Sequence, residues 1–127
     1  TNTPAPMEKQ DEIGGDTAKA KHTPGPWEVC NHADIFTTNG AANADGLRCA
    51  DNDGWQIADC AVGVTSVDGE LLDLTAKEQR ANAAFIVRAC NGWYELIAAL
   101  RELQANPNDP RAHRTALDAI AKASEQQ

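Results

Sequence analysis

A chain of 127 residues, 42% of them hydrophobic, is long enough for one domain with a sizeable core and too short for several. It contains no run of about 18 apolar residues, so no segment reads as a membrane-spanning helix. A net charge of −8 argues against non-specific nucleic-acid binding, which needs a basic surface.

The charge is unevenly placed. Residues 22–74 carry nine acids (Glu28, Asp34, Asp45, Asp51, Asp53, Asp59, Asp68, Glu70 and Asp73) against Arg48 alone. Residues 75–127 carry seven bases and six acids. The chain is thus polarised, with an acidic middle and most of its arginines in the last third.

In chain order, residues 1–21 are polar, poor in aromatics and contain "PAP" and "GG". They bury too little apolar area to offset the entropy of ordering, and read as a disordered leader. They also lack the apolar centre of a signal peptide, so the expected location is the cytoplasm. "TPGPW" follows at residues 23–27. Each proline fixes its own φ and extends the residue before it, while Gly25 permits a reversal between them. The segment is a stiff elbow that aims Trp27 into the fold.

Short strands and turns come next. "WEVCN" is expected as the first strand and "ADIFTT" as the second. "NGAANADG" reads as a long turn-rich connection. "LRCA-DNDG-WQIADC" has the form of a hairpin with its tip at residues 51–54. "AVGVTSV" offers a further strand, and "DGELLDL" leads out of the sheet. At Thr75 the period changes to that of a helix. "TAKE" has the form of a capping box, with Glu78 three residues after Thr75. Asn91-Gly92 is a stop signal, after which Trp93, Leu96, Ile97, Leu100 and Leu103 recur at helical spacing. They form either a second helix or a bent continuation of the first. Asp109-Pro110 starts the last helix, with Ala116, Ile120 and Ala123 on one face and Leu117 beside them. The fold class expected is α+β: an antiparallel meander of three to five strands (about 27–74), then two or three helices (about 75–104 and 110–125) packed on it. Residues 22–127 form the single domain.

The order "HTPGPW", a small meander with "IAD" on a late strand, then "EQRANAAFIVRACNGWYELIAALREL" resembles small phage and prophage proteins, including the Ead-like group. The resemblance covers about residues 22–103 and departs at "CNGWYEL", where that group commonly has small residues and a proline. The layout is also similar to that of the Thoeris anti-defence sponges. That similarity implies dimerisation through helices and sequestration of cyclic ADP-ribose-type nucleotides without cleavage. It carries over no binding residue.

Asn82 shares a helix face with Phe85, Ile86 and Ala89. On an inward face it needs hydrogen-bond partners, either backbone groups of the sheet and elbow or a ligand at the sheet–helix seam. Arg80, Arg88, Arg101, Arg111 and Arg114 all fall on the helices. They either form a solvated surface or converge on phosphates. Trp27, Trp55, Trp93 and Tyr94 are core, interface or a stacking platform for a base. "DNDG" lacks the twelfth-position acid of a calcium loop, where Val62 stands. Cys30, His32, Cys49 and Cys60 match no structural zinc spacing. The four cysteines, without a CxxC pair, read as reduced and buried. No cofactor, metal or catalytic residue is expected, and the protein reads as non-enzymatic. Two functions remain. One is a phage anti-defence protein that sequesters a small anionic ligand, a cyclic signalling nucleotide, through Asn82, Arg80, Arg88, Arg101, Arg111 and Trp27. The other is an acidic, nucleic-acid-mimicking inhibitor of a host nuclease or CRISPR complex. A homodimer formed through the helices is expected in either case.

Overall fold

The computed structural model describes residues 21–124. The leader reading, residue 21 apart, lies outside them. The described chain divides into two compact units: one takes in residues 21–24 and 42–48, the other residues 25–41 and 49–124. In the first, Asn43 organises a tight loop. Its Oδ1 accepts hydrogen bonds from the amides of Asp45 and Leu47, both at 3.0 Å. A bridge between Ala42 and Arg48 closes it.

The second unit holds the named elements. β1 (Trp27–Cys30), β2 (Asp34–Thr37) and β3 (Gln56–Asp59) form an antiparallel sheet in that order. β4 (Thr65–Val67) and β5 (Glu70–Leu72) form a separate two-stranded hairpin. α1 (Ala76–Ala105) and α2 (Pro110–Ser124) follow. The α+β layout therefore holds, with five strands in two small sheets rather than one meander.

β1 and β2 pair in full register from Trp27↔Thr37 to Cys30↔Asp34. The core under them is small: Ala33, Ile35 and Ala83 are buried, and Trp27, Val29, Ile57, Ile86 and Val87 pack against them. The elbow thus delivers its indole to the core, with the Gly25–Pro26 peptide cis. α1 lies against β1 and β2, whereas α2 packs along α1. That second seam is built of small residues, Ala99, Ala116 and Ala119, between Leu96 and Leu103. Alanines let two helices approach closely.

Three local expectations are corrected. The DNDG turn forms, with the Asp53 amide on the Ala50 carbonyl at 3.0 Å, but its arms do not pair. β3 instead pairs with β2, through Asp34↔Asp59, Ile35↔Ala58 and Phe36↔Gln56, with a bulge at this point. The reason lies at Thr37, whose buried Oγ1 accepts the Trp55 amide at 2.8 Å while its own amide donates to the Trp55 carbonyl at 2.9 Å. Gly54 passes so close that a Cβ there would sit 2.5 Å from the Thr37 carbonyl oxygen.

Asn91-Gly92 does not stop the helix, because α1 runs unbroken through it. Gly92 is buried where α2 crosses, and a Cβ on it would stand 3.5 Å from the Cβ of Ala123. The buried stripe of α2 is Ala112, Ala116 and Ala119, leaving Ile120 and Leu117 exposed.

The start signals behave as expected. Thr75 Oγ1 accepts the Glu78 amide at 3.1 Å, and Asp109 Oδ1 accepts the Arg111 amide at 2.9 Å. The cysteines, expected to be buried, are not: all four are free, Cys90 is exposed and the other three are half-buried.

Candidate functional site

Asn82 is exposed, and the inward positions beside it are Ala83 and Ile86. The polar residue that meets the elbow is Asn91, nine positions on. Its Oδ1 accepts the Trp27 amide at 2.9 Å and its Nδ2 donates to the Trp27 carbonyl at 2.8 Å. One side-chain amide therefore replaces the neighbouring strand that β1 lacks on that edge. A partner for backbone groups was the bland alternative for Asn82; the role exists, but on a different turn of the same helix.

The arginines do not meet. Arg80 Nη1 donates to the carbonyls of His32 at 2.7 Å and Asn31 at 3.4 Å, closing the β1–β2 turn in which Asn31 has a φ of 57°. His32 Nε2 and Gln79 Oε1, 3.1 Å apart, add a second tie there. Arg88 Nε donates to the Ala123 carbonyl at 3.1 Å, and its guanidinium lies 5.5 Å from the centre of the Phe85 ring. A cation at the end of α2 suits the partial negative charge of a helix C-terminus. Arg111 stands 3.8 Å from Asp109 at the start of α2. Arg101 is exposed on α1. Of the six residues proposed for a ligand, Arg88 lines the groove between α1 and α2.

That cavity is an open groove of about 440 Å³, lined by Val29, Ala84, Val87, Arg88, Asn91, Gly92, Glu95 and Lys122. Its size lies within the range of small-molecule sites. Lys122 Nζ is 2.9 Å from Glu95 Oε2, so one of its two cations faces a carboxylate within the groove itself. Sequence patterns mark Asn91 only as part of a helix stop and give Glu95 and Lys122 no role. The i, i+4 repeat of Arg88, Gly92 and Leu96 would have hinted that this stretch faces a neighbour.

The other candidate surface is the outer side of the three-stranded sheet. Residues opposite one another in register share a face, and neighbours along a strand alternate. Ile35 points inward, so Glu28, Phe36 and Gln56 form one row of the outer side, and Cys30, Asp34 and Asp59 the next. Two carboxylates, Asp34 and Asp59, thus stand directly opposite across the ladder, an arrangement that costs stability. Each is partly offset by a donor: Asn31 Nδ2 to Asp34 at 2.9 Å, and the Ala61 amide to Asp59 at 2.9 Å. Burial, then the charges of Glu28 and Asp34, push the Cys30 thiol above its ordinary pKa. The ion pairs among the described residues, Glu95–Lys122 and Asp109–Arg111, join groups within the helical part. Glu28 and Asp59 on the outer side are exposed, and Asp34 is half-buried.

His32 is tied to Gln79, His113 Nε2 lies 2.6 Å from the Pro107 carbonyl, and Cys49 Sγ faces the Asp53 and Ala41 carbonyls. Among the described residues no group of three or more His, Cys, Asp or Glu is placed to hold a metal ion, and no helix is long and apolar enough to cross a membrane.

No curated protein and no solved structure matches the chain. The family model of Salmonella phage P22 protein Y8K6 matches residues 7–127. With nearly its whole length covered, the chain belongs to this phage protein family.

Proposed function

We propose that this phage protein is a non-enzymatic inhibitor that lays the acidic outer side of its sheet on the basic surface of a host nucleic-acid-binding protein, such as a nuclease or CRISPR complex, in the host cytoplasm. The observation that carries the reading is Asp34 opposite Asp59, with Glu28 on the same outer side and no arginine drawn in to neutralise them. A fold gains nothing from facing carboxylates, so such a conflict is retained where function needs it. Carboxylates spaced along a sheet resemble the charge of a nucleic-acid backbone, and exposed pairing of this kind weakens as salt screens it.

The test uses Asp34→Asn and Asp59→Asn together. The pair raises the melting temperature by removing repulsion, and it abolishes capture of basic host proteins that the unaltered chain retains at about 50 mM salt and releases at about 500 mM. Undiminished capture by the neutralised chain, or capture indifferent to salt, sinks the proposal.

A second reading has its own observation. The groove beside Arg88 and Lys122 is large enough for a small anionic ligand such as a cyclic signalling nucleotide. The resemblance of the sequence to the Ead-like group, and of its layout to nucleotide sponges, is what favours this reading. Isothermal titration against cyclic nucleotides and cyclic ADP-ribose isomers decides it: heat that disappears in Arg88→Ala supports sequestration, and no heat at high protein concentration removes it. Unchanged ligand by mass spectrometry after incubation separates sequestration from hydrolysis.

A further inference from the structure

The β4–β5 hairpin is the least covered part of the described chain. Every residue of both strands is exposed. Val67, Leu71 and Leu72 on the strands, with Val64 and Leu74 beside them, present apolar side chains to water. An isolated two-stranded ribbon is at best marginal in water. Apolar groups on both of its faces mark it as an element that another surface completes.

The same chain carries a surface of matching chemistry. The α1–α2 seam has two flanks. Glu95 and Lys122, joined by their ion pair, mark one of them. Helical spacing at 100° per residue puts Glu102 on that flank too. On the opposite flank it puts Trp93 and Leu100 of α1 with Leu117 and Ile120 of α2, and all four are exposed. Arg101 follows Leu100 directly and Arg114 precedes Leu117 by one turn, so two cations border this flank, with Asp118 beyond them, whereas the other flank mixes Glu95 and Glu102 with Arg88 and Lys122. The hairpin segment, residues 62–74, carries Asp68, Glu70 and Asp73 and no base.

We infer that the β4–β5 hairpin is an exchange arm, whose occupied site is the Trp93/Leu100/Leu117/Ile120 flank of a second copy of this chain, with the arm of that copy returned in the same way. Apolar strand residues meet the apolar flank, and the arm's acids meet Arg101 and Arg114. A reciprocal exchange has two-fold symmetry and closes at two chains.

Light scattering on a sizing column tests this with Leu71→Glu in the arm and Ile120→Glu on the flank. Both side chains are exposed, so circular dichroism of the monomers stays that of the parent. The parent runs as two chains, and each variant alone runs as one, its association weakened at least tenfold. Mixing the two variants restores a two-chain species, because one sound arm then finds one sound flank. A parent that is monomeric at about 100 µM overturns the inference. So does a Leu71→Glu chain that still dimerises, the result expected if helices pair directly, or a mixture that stays monomeric.

Discussion

The two hairpins of this molecule have opposite circumstances. β1–β2 turns through Asn31, at a φ of 57°, and β4–β5 through Asp68 and Gly69, at φ values of 50° and 86°. Both turns use residues that tolerate the left-handed region, and two successive positive values fit the twist of a tight hairpin. In its turn the second follows the tight-hairpin pattern more closely, although its ladder has three residue pairs against four. Yet β1–β2 is joined by a third strand, packed under α1 and tied by Asn91, Arg80 and Gln79, while every residue of β4 and β5 is exposed. Good turn chemistry makes a hairpin; cover makes it stable.

The sharpest way to break the comparison is to remove the cover from the first hairpin. Ile35 has no exposed surface and lies at the centre of the sheet core. Ile35→Ala costs about 3–4 kcal/mol by urea denaturation, a large share of what a small domain possesses. A loss under about 1 kcal/mol would show that the Ala33/Ile35/Ala83 cluster is not what holds the sheet to α1.

Next in size is the edge. Asn91→Ala removes both bonds to Trp27 and costs about 1–2 kcal/mol. The loss is local: amide exchange accelerates at Trp27 and Val29, while α2 keeps its protection. Asn82→Ala, on the exposed part of the same helix, serves as the control and leaves exchange at Trp27 unchanged. Equal effects from the two substitutions would remove Asn91 from its place as the substitute strand.

What could be read from the sequence divides along the same line. Features fixed within a few residues were visible: the elbow before Trp27, the Thr75 and Asp109 caps, and the placement of β1 and β2. Features decided by distant neighbours were not. Asn91-Gly92 carries every local sign of a stop, but Gly92 serves the approach of Ala123, and the repeat of positions 92, 96, 99 and 103 runs straight across it. The residues around DNDG alternate as hairpin arms do, and nothing local says that residues 56–59 choose β2 as partner. The ligand residues fared likewise. Helical spacing shows that Arg80, Arg88, Arg101 and Arg111 share two helices, not that three of them end on different backbone or side-chain partners. The facing pair Asp34 and Asp59 depends on register, which no count of charges contains.

The smallest expected effect concerns the second hairpin, and its smallness is the point. Leu71 is 71% exposed. In dilute solution, where copies are apart, Leu71→Ala shifts the stability of the chain by no more than about 0.5 kcal/mol. The same substitution in a buried strand would cost several times that. Measured again at high concentration, the parent gains stability through association while Leu71→Ala gains less, so the gap between the two chains widens as protein is added. A leucine packed within its own chain gives a difference that does not move with concentration. The titration of stability against concentration therefore separates a side chain that merely lies on the surface from one whose cover is another molecule.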